Sequence, residues 1–351
     1  MTELLAPKVA VADRPATAAP RPAAEDNAAE PAAQRPPPTL SCVIPCRNEA
    51  DNLARLLPWL ADTLATCSQA WEVILVDDGS TDTTPLLLAG WARRPGFRVL
   101  QLSRNFGKEA ALTAGLQAAA GDVVVMMDAD LQHSPALIPG FVAHWRAGAD
   151  VVYAIRQHRH GESAFKRLGT RGFYAMLNAT DRFEVPAGAG DFRLMDRAVV
   201  DALLSLPERN RFMKGLYAWV GFNAVAVPYV PEPRAHGRTH FSPLRLMRLS
   251  LDGITAFTTW PLRAVSAAGL TLALLALLYG AYLSVSYLLY GHDISGWTTI
   301  VVSVMLLAGI QLISLGIVGE YVSRIFEEVK ARPLFVVKRE MGRGLAPAAR
   351  R

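Results

Sequence analysis

A chain of 351 residues provides for one large domain or two ordinary ones. Of these residues 51% are hydrophobic, and the apolar excess gathers near the C-terminus, which points to membrane spans rather than a uniformly greasy globule. The net charge of +5 suits an anionic membrane surface or a phosphate-bearing substrate, while three cysteines (Cys42, Cys46 and Cys67) with no Cys-x-x-Cys pair exclude a disulfide framework and a zinc site and place the globular part in reducing surroundings.

Residues 1–38 are rich in Ala and Pro and carry no aromatic side chain. Such a segment buries too little apolar surface to offset its ordering entropy, so a disordered tail is expected. From residue 39 strands and helices alternate. Strands are expected at 40–45, 71–76, 97–102, 122–127 and 150–155. Helices are expected from Asn48-Glu49 to about 65, from Thr81-Asp82 onward, at 107–120 and at 135–147, with Pro58 breaking or shortening the first. Alternation of this kind implies βαβ units and a mostly parallel sheet. Right-handed crossovers then bring the strand carboxyl ends to one edge, so Pro45 and Cys46, Asp77 and Asp78, and Asp128 and Asp130 line one crevice.

The centre of the chain is VVVMMDADLQHSP, residues 123–135. The apolar run reads as a strand buried on both faces. Asp128, Asp130 and Gln132 at its end are hard oxygen ligands, suited to Mg²⁺ or Mn²⁺ rather than zinc; the bland alternative is that the two aspartates only end the strand and cap the next helix. Beyond 155 a basic run carries Arg156, Arg159, Lys166, Arg167 and Arg171, either a solvated helix face or a grip for anionic phosphate. Asp191 opens a short strand or turn, Asp196 caps a helix to about 206, and a second helix is expected over 209–219, with Arg209, Arg211 and Lys214 adding positive charge.

Residues 242–261 interleave apolar residues with Arg245 and Arg248, as in an amphipathic helix lying in a membrane interface. The runs 264–290 and 297–318 are apolar and uncharged, and each exceeds the roughly 20 residues that cross a hydrocarbon core. Basic residues lie before and after the pair but not in its short loop, so both ends are expected in the cytoplasm. Glu320 is expected to pair with Arg324 one turn on.

Seven stretches in order, VIPCRNEADNL, VDDGSTDTT, NFGKEAALTAGL, MDADLQHSP, GDFRLMDR, ERNRFMKGL and GEYVSRIFEEVKARPLF, together resemble the family-2 glycosyltransferases of GT-A fold. More narrowly they resemble the membrane enzymes that load a sugar onto a polyisoprenyl phosphate, such as bacterial undecaprenyl-phosphate glucosyltransferases and dolichyl-phosphate mannose synthase. The resemblance implies an α/β GT-A catalytic domain over 39–235, an interfacial segment over 236–261, two transmembrane helices within 262–322 and a cytoplasmic segment over 323–351. It implies an inverting hexosyl transfer from a nucleotide-sugar, UDP-glucose foremost, to undecaprenyl phosphate at the cytoplasmic face of the inner membrane. Pro45, Cys46, Glu49, Asp77, Asp78, Lys108 and Asp128 would bind the nucleotide, and Asp128, Asp130 and Gln132 the Mg²⁺ or Mn²⁺ of this DXD motif. Arg156, Lys166, Arg167, Arg209 and Arg211 would bind acceptor and donor phosphates, with Asp191 and Asp130 as catalytic carboxylates. The expected partners are the donor, the lipid acceptor, the membrane and further copies of the chain as a dimer or tetramer, with no nucleic acid. Rival readings are a processive polysaccharide synthase, which usually carries more spans and a Gln-x-x-Arg-Trp motif, an inactive membrane scaffold, and a nucleotidyltransferase.

Overall fold

The computed structural model describes residues 35–156, 189–209, 211–229, 260–290 and 296–346. Apolar runs form the strands β1 (Leu40–Cys46), β2 (Trp71–Asp77), β3 (Phe97–Leu102), β4 (Val123–Met126) and β5 (Val151–Arg156). Three more follow: β6 (Ala189–Asp196), β7 (Ala224–Tyr229) and β8 (Val337–Gly342). They make one eight-stranded sheet in the order β7-β5-β6-β4-β1-β2-β3-β8. β1 pairs in parallel with β2 and β4, β2 with β3, and β5 with β7. β6 runs antiparallel to β4 and β5, and β8 antiparallel to β3. This is the mostly parallel α/β architecture expected.

Among the described residues six helices cover the two faces: α1 (Ala50–Cys67), α2 (Thr84–Trp91), α3 (Lys108–Ala118), α4 (Ile138–Arg146), α5 (Arg197–Ser205) and α6 (Met213–Trp219). Successive strand side chains point to opposite faces. Leu40, Cys42 and Ile44 of β1 therefore join a core with Leu53, Leu57, Phe141 and Trp145. Val43 faces the other way, into a core with Leu112, Leu116, Val200 and Leu216. On that side α3 lies so close to β1 that a Cβ on Gly115 would collide with the Val43 side chain.

Pro58 does not break α1, which runs through it to Cys67. A proline inside a helix costs about 3 kcal/mol. Leu53, Leu56, Leu57, Leu60 and Leu64 are fully buried on the opposite face, and each contributes about 1.5–3 kcal/mol, so burial outweighs the lost hydrogen bond. The expected N-cap of α5 is present: Asp196 accepts from the Ala198 N–H at 2.9 Å and also from Trp145 Nε1 at 2.8 Å. Arg35, assigned to the tail by the sequence reading, is tied down. Its guanidinium pairs with Asp150 at 3.1 Å and lies 5.0 Å from the centroid of the Trp145 ring.

The C-terminal helices are α7 (Trp260–Tyr290) and α8 (Trp297–Lys330). By length and composition both are able to cross a membrane, through Ala264–Leu283 and Val302–Lys330. Their leucines, among them Leu270, Leu288 and Leu312, are exposed. α8 continues well past residue 318, with the expected Glu320–Arg324 pair at 3.4 Å, and ends where Ala331 turns left-handed at φ 52°. The chain then returns to the sheet instead of leaving it. The Ser103 N–H donates to Val336 O at 2.9 Å and β8 extends the β3 edge. The sequence reading left 323–351 as a separate cytoplasmic segment and gave no strand there.

Glu72, fully buried in β2, fastens this return. It accepts from Ser41 Oγ at 2.6 Å, from the Ala120 N–H at 2.9 Å and from the Leu345 N–H at 3.0 Å. Glu72→Ala leaves these donors without their acceptor and lowers unfolding stability by roughly 3–5 kcal/mol, readable as a drop in the denaturation midpoint in detergent. An unchanged midpoint would show that water replaces the carboxylate freely.

The interfacial segment up to residue 259, residues 1–34 and most of the basic run, including Lys166 and Arg167, lie outside the described residues.

Candidate active site

The carboxyl edge of the parallel strands gathers charge from four places in the sequence. β2 ends in Asp77 and continues into Asp78, both buried. Asp78 accepts from the Phe106 N–H at 2.7 Å and the Gly107 N–H at 2.9 Å. It thereby fixes the turn between β3 and α3. Gly79 is needed beside it: its φ is +69°, and a Cβ there would stand 2.7 Å from the backbone of Arg104 and Asn105. Asp77 accepts from the Ser80 N–H at 2.9 Å and holds the following turn.

Fixing the β3–α3 turn places Lys108, the first residue of α3. Its Nζ lies 2.6 Å from Asp128 Oδ1 and 2.6 Å from Asp191 Oδ2. Asp128 follows β4, and Asp191 is the third residue of the antiparallel β6, so one ammonium joins a loop to two strand ends. Burial disfavours the Lys108 charge, but Asp128 and then Asp191 more than restore it and hold the ammonium above the usual lysine range. Burial likewise pushes Asp191 up, and Lys108 outweighs it, so Asp191 stays below the ordinary carboxylate value and is ionised near neutral pH. Asp191 Oδ1 is buried without a hydrogen-bond partner among the described residues.

Asp130 is half-buried and accepts from the Gln132 N–H at 3.1 Å. Asn48 and Leu131, in two loops of this edge, adopt left-handed backbone at φ 57° and 59°. Such strain is retained where surrounding structure over-determines it. Glu49 accepts from Asn52 Nδ2 at 2.6 Å, and burial, helped by Asp130 and Asp128, raises its carboxyl above the usual range.

Among the described residues no three His, Cys, Asp or Glu side chains are grouped to hold a metal. The candidate donors from the sequence are the carboxylates of Asp128 and Asp130 and the Gln132 amide. That set fits Mg²⁺ or Mn²⁺, which need only one or two protein carboxylates beside water and substrate phosphate. Asp128 already receives a cation, the Lys108 ammonium, so its oxygen is aimed where positive charge is accepted.

Of the other expected site residues, Cys46 and Arg211 take structural parts and Arg209 lies apart, while Pro45 and Arg156 sit at strand ends on the same carboxyl edge. Cys46 belongs to the core, its thiol donating to Val76 O at 3.4 Å, and burial pushes its pKa up. Pro45 is half-buried beside it. Arg211 is buried and donates to Leu206 O at 2.6 Å and Glu208 O at 3.2 Å, holding its own loop. That loop replaces the first turn of the helix expected over 209–219, and α6 starts at Met213. Arg209 and Arg211 line a separate cavity of about 390 Å³ with Pro333 and Phe335, and the Arg209 N–H donates to Glu328 of α8 at 2.8 Å. Arg156 closes β5.

Two residues at the site were not singled out from the sequence. Arg193 is buried on β6, 3.4 Å from the centroid of the Tyr217 ring, and donates to Gly190 O at 2.7 Å. Glu109 follows Lys108, with one carboxylate oxygen buried and unpartnered, and burial, then Asp191, pushes its pKa up to about 8. A carboxyl with a raised folded value binds more protons folded than unfolded, so its contribution favours folding less as pH climbs from the ordinary glutamate range through about 8. Glu109→Gln therefore raises the melting temperature at pH 9 and leaves it nearly unchanged at pH 5; equal shifts at both values would refute the assignment.

Residues 41–204 match the family description "Glycosyl transferase family 2", and residues 260–325 match "GtrB C-terminal hairpin". The chain is 44% identical to an uncharacterized glycosyltransferase of Synechocystis over 85% of its own length and 94% of the relative's. It is 38% identical to a prophage-derived bactoprenol glucosyl transferase of Shigella flexneri, over 86% of this chain and 97% of that one. Similarity of the same degree extends to a prophage bactoprenol glucosyl transferase homolog of Escherichia coli, 38% identical over 86% and 98% of the two chains. With these relatives matched over about 85% of the chain and a family model over residues 41–204, the chain belongs to glycosyltransferase family 2.

Proposed function

We propose that the protein transfers glucose from UDP-glucose to a polyisoprenyl phosphate, undecaprenyl phosphate in a bacterial membrane, with inversion at the anomeric carbon. The observation that carries this reading is the Lys108 ammonium bound between Asp128 and Asp191 at the carboxyl edge, in a chain that also has two membrane-length apolar helices. The bactoprenol glucosyl transferase relatives support the choice of sugar and carrier.

The nucleoside lies along the ends of β1 and β2, bounded by Pro45, Glu49 and Asp77. Asp128 and Asp130, with the Gln132 amide, would hold Mg²⁺ or Mn²⁺, which when bound supplies Lewis-acid stabilisation of the leaving diphosphate. Lys108 adds positive charge beside that diphosphate. Asp191 orients the reacting groups from the floor of the crevice. A lipid phosphate is anionic near neutral pH, so it attacks without surrendering a proton to a base. Arg156, Lys166 and Arg167 grip that acceptor phosphate and counter its repulsion from the donor. Basic residues near the helix ends, Arg263 in the first turn of α7 and Arg324, Lys330 and Arg332 in the last turns of α8 and just beyond, support a topology with both ends on the cytoplasmic side of the inner membrane. The acceptor search is then confined to two dimensions.

The test is incubation of the purified protein in detergent with undecaprenyl phosphate, Mg²⁺ and UDP-glucose labelled in the sugar. Label moving into the organic phase supports the reading. Label staying in water while another sugar nucleotide transfers would reassign the sugar.

A further inference from the structure

Lys108 is placed where an ordinary structural lysine has little reason to be. It is the first residue of α3, at the helix end whose backbone dipole disfavours cations. It follows Gly107, whose φ of 100° turns the chain into the helix with nothing near its Cβ position. Its ammonium is nonetheless committed twice, at 2.6 Å to Asp128 and 2.6 Å to Asp191. Asp128 is also one of the two carboxylates suited to a divalent cation. An ammonium and a divalent cation sharing one carboxylate repel each other at close range.

Building on the donor and metal reading above, we propose that Lys108 is an exchangeable counter-cation: it neutralises Asp128 before the donor arrives, then leaves it to a divalent ion and swings to the donor diphosphate. Three features of the site suit that exchange. The side chain is a compact charge on a flexible four-carbon stem, able to change partner without moving the backbone. Its turn is anchored independently by Asp78, through the Phe106 and Gly107 N–H groups, so release of Asp128 does not loosen the loop. Asp191 remains a second partner throughout the swing, so the ammonium is never stranded. Metal and donor then bind as a linked pair. The divalent ion binds weakly while Lys108 holds Asp128, and the diphosphate draws Lys108 away as it brings the ion in.

The test reads Mn²⁺ binding directly, from the electron paramagnetic resonance signal of the free ion, with and without UDP and with no acceptor present. Wild type is expected to bind Mn²⁺ weakly alone and much more tightly with UDP. Lys108→Met, which removes the competing charge, binds Mn²⁺ alone about tenfold more tightly than wild type, and UDP adds less to its affinity. Lys108→Arg keeps the charge and stays near the wild-type affinity without UDP, which separates loss of charge from disturbed packing. Equal Mn²⁺ affinity in wild type and Lys108→Met overturns the exchange, even if both bind Mn²⁺ with UDP and the metal reading stands. No Mn²⁺ binding by any variant, with UDP present, overturns the exchange and the metal reading together, while label transfer to lipid under the same conditions would leave the glucosyl transfer itself intact.

Discussion

Asp191→Asn lowers kcat for sugar transfer by roughly 10²–10³-fold, the usual cost of removing one preorganised charged group from a reaction centre. The amide keeps the shape of the carboxylate, so the fold persists and circular dichroism is unchanged. What is lost is the negative charge that faces Lys108 at 2.6 Å and that the buried Oδ1, without a partner among the described residues, shares. The measurement is kcat at saturating donor and acceptor. A rise in KM with kcat intact would mean that Asp191 serves only binding, and its placement at the reacting centre would have to be withdrawn.

Asp78→Ala acts one step further back. Its carboxylate is the shared acceptor for the Phe106 and Gly107 N–H groups, and it is buried. The half-buried Phe106 N–H loses its acceptor while the Gly107 N–H keeps Asn105 Oδ1 at 3.0 Å, so stability falls by about 1–3 kcal/mol. The turn that carries Lys108 loosens at the same time, and transfer falls by an order of magnitude or more beyond the loss of folded protein. Asp78→Asn retains one acceptor oxygen and recovers part of both losses. A variant with wild-type activity and a lowered melting temperature would confine Asp78 to stability and detach it from the placing of Lys108.

The sheet was legible where burial is two-sided. The runs that became β1 to β5 are rich in Val, Ile and Leu, and the expected ends fall within about a residue of the observed ones. The edge strands were not. β7 alternates exposed and half-buried residues and contains Pro228, and β8 reads Val-Lys-Arg-Glu-Met-Gly, a charged edge with no apolar signal. β8 forms because β3 offers an unpaired edge and Glu72 captures Leu345, facts of tertiary structure that no local window contains. Pro58 misled for the same reason, since the five leucines that override it act through packing.

At the site the Asp-x-Asp pair was legible because it follows a buried strand, and strand ends in a parallel sheet share an edge. The Lys108 bridge was not, because its partner Asp191 lies 83 residues away and no spacing rule spans that distance. Arg211 illustrates the converse: a basic residue in a basic stretch looks like a phosphate ligand until its guanidinium is found closing its own loop. Glu109 carries no signal of its own in the sequence, and only the fold puts it beside Asp191.

The central claim is transfer of a single sugar to a lipid phosphate. Mass spectrometry of the organic phase after reaction, with released UDP counted in parallel, tests it most directly. The account predicts undecaprenyl phosphate heavier by one hexose, with one UDP released for each lipid modified. A ladder of several hexoses on one carrier would indicate processive synthesis. UDP released without any glycosylated lipid would contradict the polyisoprenyl phosphate as acceptor.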